Sequence, residues 1–504
     1  MSAFGKSEIA DGAKISGWFD LSSDRKVLGE LTVNGPETEV YLHDDNFFSV
    51  SPHRRINLNG ELIDRRKVTL AECTVVSNMG SATRNGKAFH YATLKPGYVV
   101  SGSRYLEMQS PEIFGASFHT DDAEKIFYDF DAFGHVIDAR STIDAVVQAN
   151  AKHINREIAV GDEPQIAYFA GRRELASVDT AFGRVSVRHK PYANWFPDST
   201  GVWIKNQIVT DIGYTAAETL NETLSKILSI LRFFEIIAGR PQNLNWVELH
   251  VSGEVRKDYL SLYWCNKPNR SKNWERKPSR VSEMLVDAAE EREAFEGILE
   301  KWIARDSDRL SSRVRFSDGF AQQRKFTIDR LVGAANMFDI LPDDALPSKV
   351  SLADNVKAAR DAARKLFRLL PASDERNSIL GALGRLGHLT LRQKILHRAH
   401  LVSAALPKPL AEIDMIVDEA VKCRNHFVHG TDGSFDYFQH NAMMNFLTKA
   451  LEFLFATSDF IDAGWNIAAW HDRCGVMFHP FSETVREWDQ RASELRALRV
   501  SADE

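Results

Sequence analysis

The chain has 504 residues, 44% of them hydrophobic and 26% charged, a globular composition with room for two to four domains. Its formal net charge is −6, so the bulk balance carries no nucleic-acid signal and any basic surface must be local. Neither a run of about 18 apolar residues nor a signal-peptide stretch occurs, which argues against a membrane partner and for a cytoplasmic location.

The first two hundred residues read mostly as strands. Segments 15–21, 27–33, 39–42 and 67–76 are short and rich in β-branched or aromatic residues. Turn signals such as Asn34-Gly35-Pro36, Asn59-Gly60 and Asn85-Gly86 separate them. Further strands are expected at 88–94, 98–100, 126–130, 165–169, 184–188 and 201–209, with one helix at 142–156. This pattern predicts a β-sandwich or a partly open barrel.

From Thr215 the period changes. Leu220, Leu224, Ile227, Leu228 and Leu231 fit one stripe of a helix that stops near Gly239-Arg240-Pro241. Two strands follow, at 246–251 and 259–264. The stretch 267–280 then carries six basic residues against one acid. It reads as a solvated linker, or as a basic loop whose Trp274 is free to stack on a base.

From Val281 onward the pattern is helical throughout, over 281–305, 320–340, 352–370, 379–405, 410–426, 441–461 and 482–498. The expected architecture is α+β: a β-rich N-terminal domain (1–212), a mixed connecting region (213–315) and an all-α bundle (316–504).

Common catalytic patterns are missing. The sequence holds no HExxH, EF-hand loop or Gly-x-Ser-x-Gly elbow. The segment from Gly80 to Ala88 departs from a P-loop in spacing, lacks its hydroxyl residue, and reads as a hairpin turn. Cys73, Cys265, Cys423 and Cys474 stand far apart, and His397 and His400 have no further ligands at metal-site spacing. Reduced structural thiols are expected, with no metal site and no cofactor.

The informative segment runs from Val421 to Gly430. Leu410, Ile413, Ile416, Val417 and Ala420 mark an amphipathic helix leading into it. Asn425 and His429 are four apart and share a face, Arg424 lies beside that face, and Gly430 fits a C-cap. The trio suits RNA, whose 2′-hydroxyl is a built-in nucleophile. Histidine can move that proton or protonate the leaving oxygen, and arginine can hold the phosphate. Asparagine can orient either group. On spacing alone, a helix end hydrogen-bonded to a neighbouring loop explains the same residues.

Arg424-Asn425-His426-Phe427-Val428-His429 resembles the Arg-(polar)-x-x-x-His signature of HEPN domains. The segment from Phe326 to Ile340 is similar to the first helix of the ApeA-like HEPN branch. That branch often has an acidic residue near the position of Asn336, with Asp339 close by here. Residues 15–21 and 29–33 are similar to the opening of the ApeA N-terminal β-domain. The resemblance implies a bacterial anti-phage ribonuclease acting by abortive infection. It implies a homodimer with two motifs across one cleft, an RNA substrate (tRNA among the candidates) and a phage-derived trigger. Arg424, Asn425 and His429 would be catalytic. His426, three residues before His429, reads as a lesser candidate for the same cleft or as an ordinary surface histidine.

A second feature is independent of that resemblance. Between Lys349 and Leu410 stand twelve Lys or Arg against four Asp or Glu. Lys357, Arg360, Arg364 and Arg368 form a basic stripe on one helix, beside an apolar stripe of Leu352, Val356, Ala359, Ala363, Leu366 and Leu370. The basic stripe reads as an RNA-binding surface or as an ordinary solvated face. Two rival functions share the architecture. One is a HEPN scaffold for dimerisation or nucleotide binding. The other is a ligand-binding β-domain with a helical oligomerisation tail, which predicts a deep pocket among the strands.

Overall fold

The structure is a computed structural model. It describes residues 9–503 except 23, 49–54, 85–86, 154–155, 158, 172–173, 194–200, 202, 253–257, 268–279, 323–324, 348–351 and 476–477, and only the backbone of the remaining residues in 77–88 and 501–503. Trp274 with nearly all of the expected basic loop, and the Asn85-Gly86 turn, lie outside the described residues. The chain divides into two units, residues 1–238 with 242–303 and residues 239–241 with 304–504.

The first unit begins with six strands: β1 (Lys14–Ser22), β2 (Arg25–Thr32), β3 (Glu39–Asp44), β4 (Ile56–Leu62), β5 (Lys67–Arg84) and β6 (Lys87–Lys95). They pair in the order β5-β4-β1-β2-β3-β6, and β6 returns to β5. The expected partly open barrel is therefore a closed six-stranded ring, which removes the edges of these strands. Alternate residues point inward, and Phe19, Leu31, Leu42, Leu58, Leu70 and Leu94 fill the core. The Phe19 ring dictates small neighbours: a Cβ on Gly60 would stand 2.5 Å from it.

The 18 residues of β5 also pair with β7 (Tyr98–Gly102), where an open antiparallel sheet begins. It continues through β8 (Ile113–Thr120), a short hairpin β9 (Phe133–Val136) and β10 (Ile166–Phe169) being separate from it. The remaining strands are β11 (Ala176–Thr180), β12 (Gly183–His189), the small pair β13 (Tyr192–Ala193) and β14 (Ile204–Lys205), β15 (Ile208–Glu218), β16 (Leu244–His250) and β17 (Tyr259–Trp264). Their order from β7 is β17-β16-β8-β15-β12-β11. The unit's helices are α1 (Ala123–Ile126), α2 (Arg140–Ala149), α3 (Leu220–Ala238) and α4 (Arg292–Ala304). Helix α3 packs on β8 and buries Leu224, Ile227, Leu231 and Phe234. Residues 213–303, expected as a connecting region, thus supply strands and a helix to the same unit.

The second unit is all-helical: α5 (Asp306–Phe320), α6 (Ile328–Asp339), α7 (Asp354–Arg368), α8 (Asp374–Arg385), α9 (Leu391–Ala405), α10 (Ile413–His429), α11 (Asn441–Asp462), α12 (Ile467–Cys474) and α13 (Pro480–Asp503). Helix α11 is its axis: residues 450–460 are buried in an unbroken run, and α5, α6, α9, α10 and α13 pack around it.

Several expectations need correction. The strand expected at 126–130 is α1 and a following turn, because Phe127 plugs between Phe234 and Phe295 rather than joining a sheet. The helix expected at 379–405 is two helices, broken where Gly387 adopts φ +89° and restarted by a Thr390–Gln393 capping box. The helix expected at 281–305 is regular only from Arg292. Strands β4, β8, β9, β11 and β13 and helices α5 and α12 went unpredicted. Helix α5 hides from an apolar-period reading because its inward positions include Arg309, Ser312 and Arg313.

Candidate active site

Helix α10 presents Ile416, Val417, Ala420, Val421 and Cys423 to the core of the helical unit. That burial fixes the helix's rotation and leaves its last turn at the surface. Gly430 ends it with φ +68°, donating its N–H to the His426 carbonyl at 2.9 Å. Only glycine takes this left-handed cap without strain.

The last turn holds the three residues that the sequence singled out. Arg424 Nη1 donates to Asn425 Oδ1 at 3.0 Å and lies 3.0 Å from His429 Nε2. A guanidinium can only donate, so Nε2 is the acceptor in this pair. Arg424 Nη2 donates to Asn336 Oδ1 on α6 at 3.2 Å. Arg424 Nε is buried and has no hydrogen-bond partner among the described residues. Asn336 is the residue that spacing could not place, since it stands 88 positions away from Arg424. Its only signal was its position where the ApeA-like branch often has an acid.

The charge around Arg424 differs from that around the unit's buried arginines. Arg309 and Arg313 reach Asp459 at 2.5 and 2.8 Å, Arg330 reaches Glu452 at 2.6 Å, and Arg398 reaches Asp462 at 2.7 Å. Arg424 makes no ion pair among the described residues, and its three acceptors are neutral. A half-buried cation held by neutral groups is a ready receptor for an anion.

His426 is not part of this hydrogen-bonded group. Its Nδ1 lies 2.7 Å from the Thr431 carbonyl oxygen, and its ring packs edge-on against Phe427 and Tyr437. It pins the loop after α10. Tyr437 anchors that loop from inside, donating at 2.7 Å to Glu419, which is fully buried. Burial and this carboxylate hold the phenol well above its ordinary range.

The basic stripe is on α7, as expected, and no residue of α7 or of its neighbour α8 is buried. Lys357 pairs with Asp354 at 3.4 Å and Arg360 with Asp361 at 3.0 Å. Arg364 and Arg368 stand on the same side. The apolar stripe beside them does not form a core: Val356, Leu366 and Leu370 are exposed.

All four cysteines are buried free thiols. Burial pushes Cys423 up to about 12, and Cys73 likewise to about 12, so neither is a nucleophile at neutral pH. His400 pairs with Asp414 at 2.6 Å. Burial, with the charge of Arg398, lowers the proton affinity of His397. Among the described residues, no group of three potential metal ligands comes together. No helix among them is long and apolar enough to cross a membrane.

Comparison with known families gives two matches. Residues 14–302 match the ApeA N-terminal domain 1, and residues 332–468 match the Apea-like HEPN domain. The second span contains Asn336, Arg424, Asn425 and His429. No curated protein and no solved structure matches the chain.

Proposed function

The chain belongs to the ApeA family, with an ApeA N-terminal domain 1 and an Apea-like HEPN domain, and from that premise we propose that it is a HEPN endoribonuclease of anti-phage defence. The observation that carries this reading is Arg424, held by three neutral acceptors and opposed by no carboxylate among the described residues. A scissile phosphate supplies the missing negative charge. The guanidinium then steadies charge on the phosphoryl oxygens in the transition state. Transfer of Arg424's donors to the phosphate frees His429 Nε2 to take the 2′-hydroxyl proton. The resulting 2′-oxygen attacks phosphorus, the bond to the 5′-oxygen breaks as that oxygen takes back the proton held by His429, and a 2′,3′-cyclic phosphate remains. Asn425 and Asn336 keep the guanidinium aimed. The RNA supplies the nucleophile, so the step needs no metal-bound water. Action in the cytoplasm, as a homodimer released by a phage-derived trigger, belongs to the same proposal.

Purified protein should cleave RNA in the presence of EDTA, and Arg424→Ala and His429→Ala should each slow that cleavage by at least about 10²-fold. Equal cleavage by all three proteins would sink the assignment. Sustained inactivity of the wild type alongside intact RNA binding would favour the scaffold reading instead.

A further inference from the structure

Beside the proposed site, the helical unit contains a cavity of about 510 Å³ between the end of α6, the turn after it and the junction of α8 with α9. Leu341, Leu346 and Leu389 give it apolar walls, and Asp339, His388 and Lys394 give it a polar rim. Lys394 Nζ is fixed there by two bonds of 2.8 Å, to the Asp339 carboxylate and to its main-chain carbonyl. That second bond caps the C-terminal end of α6. Asp343 adds a second carboxylate to the lining.

The cavity and Arg424 both border helix α6. Asp339 follows Asn336 by three residues on α6, so the two lie on one face, about one turn or ~5 Å apart along the axis. Asn336 holds Arg424 at 3.2 Å. Neighbouring turns of α6 thus serve the cavity and Arg424. The volume falls in the range of small-ligand pockets. Apolar walls with a few polar groups suit a single unstacked base, which is how single-stranded RNA is read.

We infer that this cavity receives the nucleoside adjoining the scissile phosphate. This rests on the reading that residues 424–429 cleave RNA. The base lies against Leu341, Leu346 and Leu389. Lys394 and His388 face its sugar-phosphate side. The carboxylates accept from exocyclic amino groups, as Asp and Glu do from cytosine. Adenine, cytosine and guanine carry such a group and uracil does not, so the subsite disfavours uridine.

The test uses full-length protein and does not depend on turnover. A His429→Ala chain is mixed with single-stranded oligonucleotides carrying 2-aminopurine at successive positions. One position should brighten on binding as its base leaves the stack, and adding Leu389→Trp, which fills the cavity, should remove that signal while retaining RNA binding. Lys394→Ala should weaken it and serves as the second variant if Leu389→Trp alters the melting curve. With active protein, cleavage sites mapped on random-sequence RNA should avoid uridine at one fixed position beside the cut, and Leu389→Trp should flatten that bias. No position-specific signal, or one that both variants leave intact, overturns the inference. Free AMP that protects wild type but not Leu389→Trp against melting, with no oligonucleotide signal, also overturns it and marks a mononucleotide site. Absence of cleavage with the fluorescence signal present would fault the ribonuclease reading and not the subsite.

Discussion

On the proposed reading, Arg424 carries the chemistry because of what does not surround it. An aspartate at position 336 would neutralise the guanidinium before substrate arrived, whereas Asn336 orients it through one hydrogen bond of 3.2 Å. Asn336→Ala should therefore leave the fold intact and lower kcat more than it raises KM, by roughly tenfold, the equivalent of about 1.4 kcal/mol in the barrier. Arg424→Ala should lose about 10²–10³-fold, as expected for removing a charge-stabilising donor. Single-turnover rates on one oligonucleotide give both numbers, and an Asn336→Ala rate equal to wild type would remove Asn336 from the site. The sequence alone made residues 424–429 legible because helical spacing joins neighbours four apart. It could not pair Asn336 with Arg424, since that contact depends on how α6 packs against α10. It also could not show that His426 turns to the Thr431 carbonyl, since a helix phase does not reveal what a loop will offer.

At the scale of elements, α5 and α11 are joined by a buried ionic network and not by an apolar seam alone. Asp459 is fully enclosed and receives Arg313 and Arg309, whose charges outweigh the burial that would raise its proton affinity and hold its carboxyl below the usual range. A depressed pKa stabilises the fold above the unfolded value of about 3.9. That stabilisation is lost as pH falls through the folded value. Acid melts of the wild type should thus show a loss of helical structure below about pH 4. Asp459→Asn should cost about 3–5 kcal/mol at neutral pH, because two buried guanidinium groups each lose the carboxylate they share, keeping only Asp462 and Asp344 for Arg309 and Asp306 for Arg313. Chemical denaturation followed by circular dichroism checks it, and a change under 1 kcal/mol would contradict the account. The same network explains why α5 was invisible to periodicity. By contrast the strands of the barrel were mostly legible, since their inward and outward residues alternate. Strand β4 was missed although its Asn59-Gly60 was noted, because that pair looks like a turn and here lies within a strand, where Gly60 makes room for Phe19.

At the scale of the whole chain, an acidic protein of net charge −6 keeps a local excess of positive charge between Lys349 and Leu410. If the α7 row neutralises RNA phosphates, Arg364→Glu with Arg368→Glu should weaken RNA binding at low salt. The slope of log affinity against log salt should shrink by about 0.7 for each phosphate that is no longer neutralised. An unchanged slope would assign the row to solvent. The α+β order of a β-rich unit followed by helices was readable from the unbroken helical pattern after Val281. Closure of the barrel was not, because it depends on β5 pairing with β4 and β6 at once.

The central claim is that Arg424 and His429 cut RNA through its own 2′-hydroxyl. The most direct measurement compares one mapped oligonucleotide with the same oligonucleotide bearing a single 2′-deoxy sugar at the cleavage position, in EDTA. The account predicts cleavage of the first to a 2′,3′-cyclic phosphate end and none of the second at that position. Equal cleavage of both, or a product with a 3′-hydroxyl end, would contradict it.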